Sequence, residues 1–427
     1  MCVIGFGGGQ IRLTKYCKVF FKLYTLGCKV NQYESEYLRE GLRRLGYVEL
    51  VGGGIADIVF LNTCAVTAES EAKGRKLIRR LIRENRGAEV IVFGCAVRRN
   101  AEQFLQIGGI TTAATDKEWV TQFLLDKGLR ELPTGISKFG ERHRAYVKVQ
   151  DGCRVGCSYC IIPKVRSVLR SRLLDEVLVE VRRLVGNGYS EIVLTGIHLG
   201  HYGVDLSGSS SSNLVKLVEG VIGISGDFRV RLSSIEAVEV SAELVELMLN
   251  NTGKICPHLH IPMQSGDDEV LFRMRRRWSS GEYISCCKRL LGLFDCLSLT
   301  TDVIVGFPGE TDEQFARTCE VVRELGFSKV HIFRYSPRQG TDAAKFADKI
   351  PQRKIYERVQ YLSDIAAGLR SDYASMFVGR SVQVLFETEQ TGTTERYLPI
   401  KTTKKHNIGK IENIDVKKSQ NENLFAD

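Results

Sequence analysis

No stretch of this chain is apolar enough to cross a membrane as a helix, which excludes the functions of proteins with membrane-spanning helices. The sequence has 427 residues, 43% of them hydrophobic, but it contains no run of about 18 uncharged apolar residues. The N-terminal segment MCVIGFGGGQIRLTKYCKVF has neither a long apolar core nor a cleavage site, so we interpret it as an irregular leader and not as a signal peptide. The expected location is the cytoplasm.

A disulfide framework is excluded as well. The 13 cysteines are odd in number and scattered along a long chain, whereas disulfide-rich proteins are short and pair their cysteines. Reduced thiols are therefore expected. The net charge of +10 fits a polyanionic partner such as nucleic acid, but charge alone does not separate this interpretation from an ordinary basic protein.

Length and pattern predict an α/β protein with three structural units after the leader. The predicted divisions are a leader (1–18), an N-terminal parallel α/β domain (19–138), a central partial barrel (139–370) and a small β domain (371–427). Alternating strands and helices predict the parallel N-terminal sheet. Roughly six further strand–helix repeats predict the partial barrel, with its site at the carboxyl ends of the strands. The last unit is expected to form a small β-barrel that ends in a polar, disordered tail.

Three cysteines, Cys28, Cys64 and Cys95, follow three successive predicted strands of the N-terminal unit. We name them the N-terminal triad. Because the carboxyl ends of parallel strands meet at one edge of a sheet, these thiols are expected to converge there. The alternative is that they are ordinary buried core cysteines.

A second set, Cys153, Cys157 and Cys160, lies in the segment VQDGCRVGCSYCIIP with the spacing CxxxCxxC. We name it the central triad. A structural zinc site needs four ligands, whereas a [4Fe–4S] cluster held by three thiolates keeps one iron open for a substrate or cofactor. The spacing therefore favours an open iron–sulfur cluster, with a zinc knuckle as the alternative.

This spacing resembles the signature of the radical S-adenosylmethionine (SAM) enzymes. With both triads placed, the chain from about Phe20 to Lys417 is similar to the methylthiotransferases of that superfamily. The matching segments are TLGCKVNQYESE, LTGIHLGHYGVDL, RLSSIE, HLHIPMQSGDDEVLFRMRRR, TTDVIVGFPGET and FRYSPRQGT. The first is similar to the branch that acts on tRNA carrying N6-threonylcarbamoyladenosine next to the anticodon. The chain departs from the family pattern at Val165–Ser167, Ala237 and Asp342, none of which is an expected cluster ligand.

The resemblance implies a C-terminal TRAM domain, two [4Fe–4S] clusters and SAM. The central triad is then expected to hold the cluster that binds and cleaves SAM. The N-terminal triad is expected to hold the cluster that carries the sulfur inserted at carbon 2 of the adenine. The implied partners are the tRNA anticodon stem-loop and a one-electron donor such as a flavodoxin or ferredoxin, with the sulfur source left open.

Residues at the ends of the barrel strands are expected to contact SAM, although each fits an ordinary turn or packing role equally well. The candidates are Gly196, Ser234, Glu236, Gln264 and Gly306. The histidines have no ligand spacing with a cysteine, so His198, His258 and His260 are expected to be packing residues.

RNA binding requires exposed positive charge or aromatic rings. The helix EAKGRKLIRRLIREN offers a basic face, and a second cluster follows in RMRRRW; these candidates are Lys73, Lys76, Arg79, Arg80, Arg83, Arg273, Arg275, Arg276 and Arg277. Such clusters bind phosphate without reading sequence, and ordinary solvated helix faces are the alternative. Tyr397 is a candidate platform for stacking an unpaired base.

Two further functions compete with methylthiolation of threonylcarbamoyladenosine. One keeps the enzyme class but changes the substrate to isopentenyl-adenosine in tRNA or an aspartate of a ribosomal protein. The other is a non-catalytic RNA-binding protein that carries a cluster or zinc. A brown colour with equal iron and sulfide content would exclude the zinc-bearing form of this last alternative.

Overall fold

The computed structural model describes residues 18–427 apart from residues 117, 141, 209 and 210. The predicted leader therefore lies outside the described residues except for its last position. No helix in the described part of the chain is long and apolar enough to cross a membrane.

Strands and helices alternate through most of the chain. The strands are β1 (Phe20–Thr25), β2 (Val48–Glu49), β3 (Ile58–Thr63), β4 (Glu89–Gly94), β5 (Thr112–Ala113), β6 (Arg144–Asp151), β7 (Arg170–Ser171), β8 (Glu191–Gly196), β9 (Arg229–Leu232), β10 (His258–His260), β11 (Ser298–Val305), β12 (Lys329–Arg334), β13 (Ser381–Phe386), β14 (Thr391–Thr394), β15 (Pro399–Lys401), β16 (Ile411–Asp415), β17 (Lys418–Gln420) and β18 (Asn423–Phe425). The helices are α1 (Lys29–Arg44), α2 (Ala68–Glu84), α3 (Cys95–Arg99), α4 (Ala101–Leu105), α5 (Trp119–Asp126), α6 (Ile162–Val165), α7 (Leu174–Gly186), α8 (Leu214–Ile222), α9 (Ala242–Asn250), α10 (Asp268–Arg273), α11 (Ser280–Leu293), α12 (Asp312–Leu325) and α13 (Gln352–Ser375).

The N-terminal sheet is parallel throughout, with the strand order β2-β1-β3-β4-β5. β3 is buried along its whole length because both faces of the sheet are covered. Phe60 packs into one core with residues of α1 and α5, and its neighbour Leu61 packs into another with Ile78 of α2. Consecutive apolar residues are typical of a strand covered on both faces. The predicted parallel α/β architecture is confirmed.

The central unit forms an open barrel in two sections. In the first, β6, β8 and β9 are parallel and β7 adds an antiparallel edge. In the second, β10, β11 and β12 are parallel. A single parallel bridge between Val230 and Ile255 joins the two sections. The partial six-stranded barrel is thus confirmed, with its strand ends directed towards the central triad.

The C-terminal sheet has the order β16-β13-β14-β15-β18-β17 and is mostly antiparallel. The expectation of a disordered tail is wrong, because β17 and β18 complete this sheet. Leu424 explains the difference, since it is completely buried in the same core as Ile400 and Val416. The predicted boundary at residue 370 falls inside α13 and stays a prediction.

A buried ion cluster fastens the C-terminal sheet to the barrel. Glu191 accepts hydrogen bonds from Arg229 Nε at 2.7 Å and from Arg231 Nε at 2.8 Å. The two guanidinium groups also donate to the backbone carbonyls of Gln383, Thr393, Thr394 and Glu395. Burial would raise the pKa of Glu191, but the two arginines outweigh it and keep the carboxylate charged. The C-terminal sheet is thereby held against strands β8 and β9 of the barrel.

Candidate functional site

The N-terminal triad lies at the carboxyl edge of the N-terminal sheet. Cys64 directly follows β3, Cys95 directly follows β4, and Cys28 precedes α1. Gly27 has a φ of +107°, and a side chain there would lie 2.9 Å from Cys64 Cβ and 3.1 Å from Cys64 Sγ. The missing side chain lets the loop that carries Cys28 lie against Cys64. The Oδ1 atom of Asn31 lies 3.8 Å from Cys28 Sγ and 3.9 Å from Cys95 Sγ, so the structure brings the three thiols together.

Arg166 connects this triad to the loop of the other one. Its side chain is completely buried, and its Nε donates to Cys95 Sγ at 3.1 Å. Its other nitrogens donate to Asn31 at 3.0 Å, to both carboxylate oxygens of Glu34 at 2.7 and 2.8 Å, and to Asp151 at 2.9 Å. Burial would raise the pKa of Glu34, but Arg166 and a neighbouring lysine lower it to about 2. Arg166 therefore remains a charged donor beside a cysteine of the N-terminal triad.

The central triad lies in the loop between β6 and α6. Gly152 has a φ of +82°, and a side chain there would lie 2.0 Å from the carbonyl oxygen of Val168, so only glycine fits the turn into this loop. The amide of Cys153 donates to the carbonyl of Arg166 at 3.2 Å, and that of Cys160 donates to Cys157 at 3.1 Å. These contacts fix the path of the loop at the mouth of the barrel.

Two basic side chains contact sulfur atoms of the central triad. Arg276 Nη1 donates to Cys157 Sγ at 3.1 Å, and His198 Nδ1 lies 3.5 Å from Cys153 Sγ. On its other side, His198 Nε2 lies 2.6 Å from Glu239 Oε1. Burial lowers the pKa of His198, but its hydrogen bonds to Cys153 and Glu239 outweigh that effect and raise it to about 9. The expectation that His198 is only a packing residue is wrong, since it joins a cysteine sulfur to a carboxylate.

The donor atoms of both triads suit iron–sulfur clusters better than a single zinc ion. All six cysteines are free thiols, and burial raises the pKa of several of them, to about 11 for Cys64 and about 12 for Cys160. Thiolates at such positions require a strong positive charge nearby, which bound metal supplies. Among the described residues, neither triad gathers three sulfur atoms within 4.8 Å of one another, whereas the sulfur atoms around one tetrahedral zinc ion are about 3.8 Å apart. The wider spacing leaves room for a larger cluster.

Two adjoining cavities lie between the triads. The larger, about 720 Å³, is lined by Cys28 together with Gly196 and Ser234; we name it the barrel cavity. The smaller, about 170 Å³, is lined by Cys160 and Gln264. Asp302 and Phe333 belong to the walls of both cavities. A reaction space bounded by one cysteine of each triad is therefore present inside the barrel.

The five SAM-contact candidates differ in what they can offer. Gly196, Ser234 and Gln264 line the two cavities. Glu236 already accepts hydrogen bonds from Arg276 at 2.9 Å and from Arg277 at 3.1 Å. Gly306 has a φ of +81°, and the space beside it is filled by Ile355, 2.5 Å from where a side chain would begin. The close approach that Gly306 permits in this structure is to helix α13.

The two basic clusters also differ. On α2, Lys73, Lys76, Arg79, Arg80 and Arg83 are exposed while Ile78 and Leu81 are buried, as the pattern predicts.

The arginines of the second cluster are engaged within the protein. Arg275 pairs with Asp342 at 2.7 Å, Arg276 and Arg277 bind Glu236, and Arg273 packs over two phenylalanine rings. Tyr397 is equally unsuited as a free stacking platform, because the guanidinium of Arg231 lies 3.6 Å from its ring centre. The expectation of RNA contacts at the second cluster and at Tyr397 is therefore not supported.

Sequence reasoning missed the residues that hold the cysteines in place. Arg166 and Arg276 lie 71 and 119 residues from the cysteines they contact, so no local spacing indicates them. Asn31 follows Cys28 by three residues, but its contact with Cys95 spans 64 residues. Lys29 was also missed, although it follows Cys28 directly and lines the barrel cavity. Its position next to a predicted ligand was the one available signal.

Comparison with known proteins identifies two families along the chain. Residues 147–322 match the radical SAM superfamily, and residues 19–115 match the uncharacterized protein family UPF0004. The chain is 39% identical over 379 residues to the threonylcarbamoyladenosine tRNA methylthiotransferase MtaB of Thermotoga maritima, covering 86% of each chain. It is 36% identical over 424 residues to the protein of the same name from Bacillus subtilis, covering 93% of each.

Among solved structures, the radical SAM methyltransferase TsrM from Kitasatospora setae matches with a TM-score of 0.54. The sequences are 12% identical, and the match covers 76% of this chain and 75% of that one. This likeness concerns the fold, and it agrees with the partial barrel described above. The sequence relatives, which match over most of their own length, carry the assignment. The chain belongs to the methylthiotransferase family of the radical SAM enzymes.

Proposed function

We propose that this chain is a cytoplasmic tRNA methylthiotransferase that adds a methylthio group to carbon 2 of N6-threonylcarbamoyladenosine next to the anticodon. The observation that carries the proposal is that two adjoining cavities of the barrel are lined by one cysteine of each triad, Cys28 in the larger and Cys160 in the smaller. A single triad would suit many radical SAM reactions, whereas the second one offers a place for the sulfur to be transferred. The names of the sequence relatives support the choice of substrate.

The central triad would hold one [4Fe–4S] cluster and the N-terminal triad another. When bound, the clusters and SAM supply the one-electron chemistry and the sulfur that the reaction requires. The chain's own side chains position this machinery. Arg166 and Arg276 each donate to one cysteine sulfur at 3.1 Å, and such charge-assisted bonds hold a sulfur in one place and stabilise its negative charge.

Three residues are proposed to contact SAM. Gly196 and Ser234 in the barrel cavity and Gln264 in the smaller cavity lie at the carboxyl ends of β8, β9 and β10. In a barrel this end carries the loops that bind substrates and cofactors. Glu236 is proposed to act indirectly, since it orients Arg276, and Gly306 is proposed to seat helix α13.

The exposed basic face of α2 is proposed to bind the phosphates of the tRNA anticodon stem-loop. A flavodoxin- or ferredoxin-type protein is proposed as the electron donor. The proposed phosphate contacts do not depend on which base is modified, because phosphate contacts give affinity without sequence information.

The test is nucleoside mass spectrometry of tRNA from cells that lack this gene, complemented with the intact gene or with a Cys95→Ala copy. We expect 2-methylthio-N6-threonylcarbamoyladenosine to disappear, to return with the intact gene and to stay absent with the variant. Loss of the isopentenyl counterpart instead would move the substrate to that base. If neither nucleoside changes, the ribosomal-protein or non-catalytic alternative replaces the proposal.

A further inference from the structure

Lys29 is a basic residue that the cysteine chemistry does not use. It is the first residue of α1, directly after Cys28, and it lines the barrel cavity. Within the described part of the chain, its ammonium group makes no hydrogen bond or ion pair with another residue. A half-buried cation without a partner is costly to keep, so an anionic ligand is the natural occupant of the space in front of it.

The barrel cavity as a whole carries an excess of positive charge. Apart from the histidines, its ionisable lining residues with a side-chain charge near pH 7 are Lys29, Arg144, Lys329, Arg370 and Asp302. Arg144 is paired with Glu387, Arg370 with Glu422, and Asp302 lies 3.3 Å from His260. Within the described residues, the two lysines are the lining cations that lack a carboxylate partner.

Two histidines of the lining, His258 and His331, do not add to this charge. His331 lines the same cavity, and burial together with the charges of His260, Lys329 and Lys29 lowers its pKa to about 4 despite the opposing effect of Asp302. Burial also lowers the pKa of His258 well below its usual range, with Arg231 and Lys29 contributing. Both rings are thus neutral near pH 7, and the positive potential of the cavity comes from its lysines.

The substrate named under the proposed function has an anionic group at a suitable position. The threonylcarbamoyl substituent on N6 carries a carboxylate, whereas the isopentenyl substituent is uncharged and apolar. In adenine, C2 and C6 flank the same ring nitrogen, so the atom to be methylthiolated and the N6 substituent lie along one edge of the base. A base that presents C2 to the N-terminal triad would therefore bring this substituent into the cavity that Cys28 and Lys29 line.

We propose that Lys29 binds the carboxylate of the N6-threonylcarbamoyl group and thereby selects this base over its isopentenyl counterpart. The inference rests on the proposed function and adds the residue that determines its specificity. A half-buried lysine inside the barrel suits a single carboxylate better than a tRNA phosphate, because the phosphates lie on the outer surface of a stem-loop. The bound base would exclude water from this part of the cavity, which would strengthen the pairing.

The test measures binding, not turnover. Reconstituted holoenzyme without reductant is titrated, by fluorescence anisotropy, into anticodon stem-loops that differ only at the adenosine next to the anticodon. The three probes carry the threonylcarbamoyl group, its carboxyl methyl ester or the isopentenyl group. For the unaltered enzyme we expect the acid to bind about tenfold more tightly than the ester, as a charge-assisted contact provides.

Substitution then assigns the contact. In Lys29→Met the acid is expected to bind about tenfold more weakly while the ester and the isopentenyl probe are unchanged, and Lys29→Arg is expected to keep most of the preference. Lys329→Met is the matched control, since it removes the other lysine without a partner from the same cavity. We expect it to change the preference less than threefold.

Several outcomes would overturn the inference. Equal weakening of all three probes by Lys29→Met would assign this lysine to a phosphate. A loss of SAM affinity without RNA would assign it to the SAM carboxylate, and loss of the acid preference only in Lys329→Met would assign the contact to the other lysine. If the unaltered enzyme methylthiolates the threonylcarbamoyl stem-loop but does not distinguish acid from ester, this inference fails and the proposed function stands. If it does not modify that stem-loop at all, the proposed function fails.

Discussion

The two cysteine triads reach the same reaction space by opposite routes. The central triad comes from one short loop after β6, whereas the N-terminal triad comes from the ends of three strands that are separated by whole helices. The first is specified by local spacing and by the glycine turn at Gly152. The second depends on strand order, because Cys28, Cys64 and Cys95 meet only when β1, β3 and β4 lie side by side. Local sequence therefore builds one site, and tertiary structure builds the other.

The charged neighbours of the triads show the same difference. Arg276, which donates to Cys157, belongs to the same barrel as the central triad. Arg166, which donates to Cys95, belongs to the loop that follows the central triad and reaches across to the N-terminal sheet. The N-terminal triad is therefore completed by the barrel, whereas the central triad is complete within its own unit.

Removing one cysteine from each triad is expected to have the largest effects, and the effects should differ in kind. Cys157→Ala should abolish both the formation of 5′-deoxyadenosine from SAM and the methylthiolated product. Cys64→Ala should abolish the product but keep 5′-deoxyadenosine, because the central triad is intact. Each variant should hold about half of the iron and sulfide of the unaltered protein, measured by elemental analysis and liquid chromatography. Loss of 5′-deoxyadenosine in Cys64→Ala would contradict the independence of the central triad.

Replacing Arg166 and replacing Arg276 should lower the free energy of unfolding by different amounts. Arg166→Met leaves Glu34 and Asp151 with fewer partners in a buried site, so the free energy of unfolding should fall by about 3–5 kcal/mol. Arg276→Met should cost less, about 1–3 kcal/mol, because Glu236 keeps its contact with Arg277. Urea denaturation measures both, and the two tryptophans of the chain, Trp119 and Trp278, report on the two units separately.

Iron content provides the control for these arginine variants. Arg166→Met should lose iron from the N-terminal triad and keep 5′-deoxyadenosine formation, and Arg166→Lys should recover only part of the iron, since lysine cannot reproduce the branched set of donors. An Arg166→Met protein with full iron content and unchanged stability would show that the N-terminal triad does not need the barrel.

Acid should weaken the contact between Glu34 of the N-terminal unit and Arg166 of the barrel before it unfolds the rest of the protein. The pKa of Glu34 is about 2 in the folded protein against an ordinary value of 4.5. A lowered carboxyl pKa contributes stability above the unfolded value, and that contribution is lost as pH falls from about 4.5 towards 2. We expect a loss of roughly 2 kcal/mol over this range, measured by urea denaturation of iron-free protein. Glu34→Gln should remove this part of the pH dependence, and an unchanged acid profile in that variant would contradict the assignment.

Sequence reasoning predicted the cysteines and the sheets but not the side chains that connect them. The alternation of strands and helices is a strong local signal, and the convergence of three strand ends follows from the parallel order. Arg166 was noted only as part of a departure from the family pattern, since nothing local indicates that its side chain is buried against Cys95. Contacts between residues far apart in the chain carry no periodic signal.

Two misplaced expectations have the same origin. The arginine run after Met274 was expected to bind RNA because clustered positive charge binds phosphate, yet Glu236, Glu239 and Asp342 bring carboxylates to it from elsewhere. The polar tail was expected to be disordered, but the single residue Leu424 anchors it in the core of the C-terminal sheet. Composition describes the average of a segment, whereas one apolar or charged partner decides its structure.

The smallest expected effect is on RNA binding. We expect the RNA to bind on the side of the N-terminal triad. Helix α2 begins shortly after Cys64, and its exposed side chains Lys76, Arg79 and Arg83 form no ion pair with another described residue. Their combined replacement by alanine should weaken tRNA binding about tenfold at low salt and reduce the slope of log affinity against log salt by about one for each phosphate that is no longer bound. Arg275→Ala, on the side of the central triad, is the control and should leave the slope unchanged because Arg275 is already paired with Asp342. The reverse result, a slope that falls only in Arg275→Ala, would move the RNA path to the central triad and break the asymmetry between the two sites.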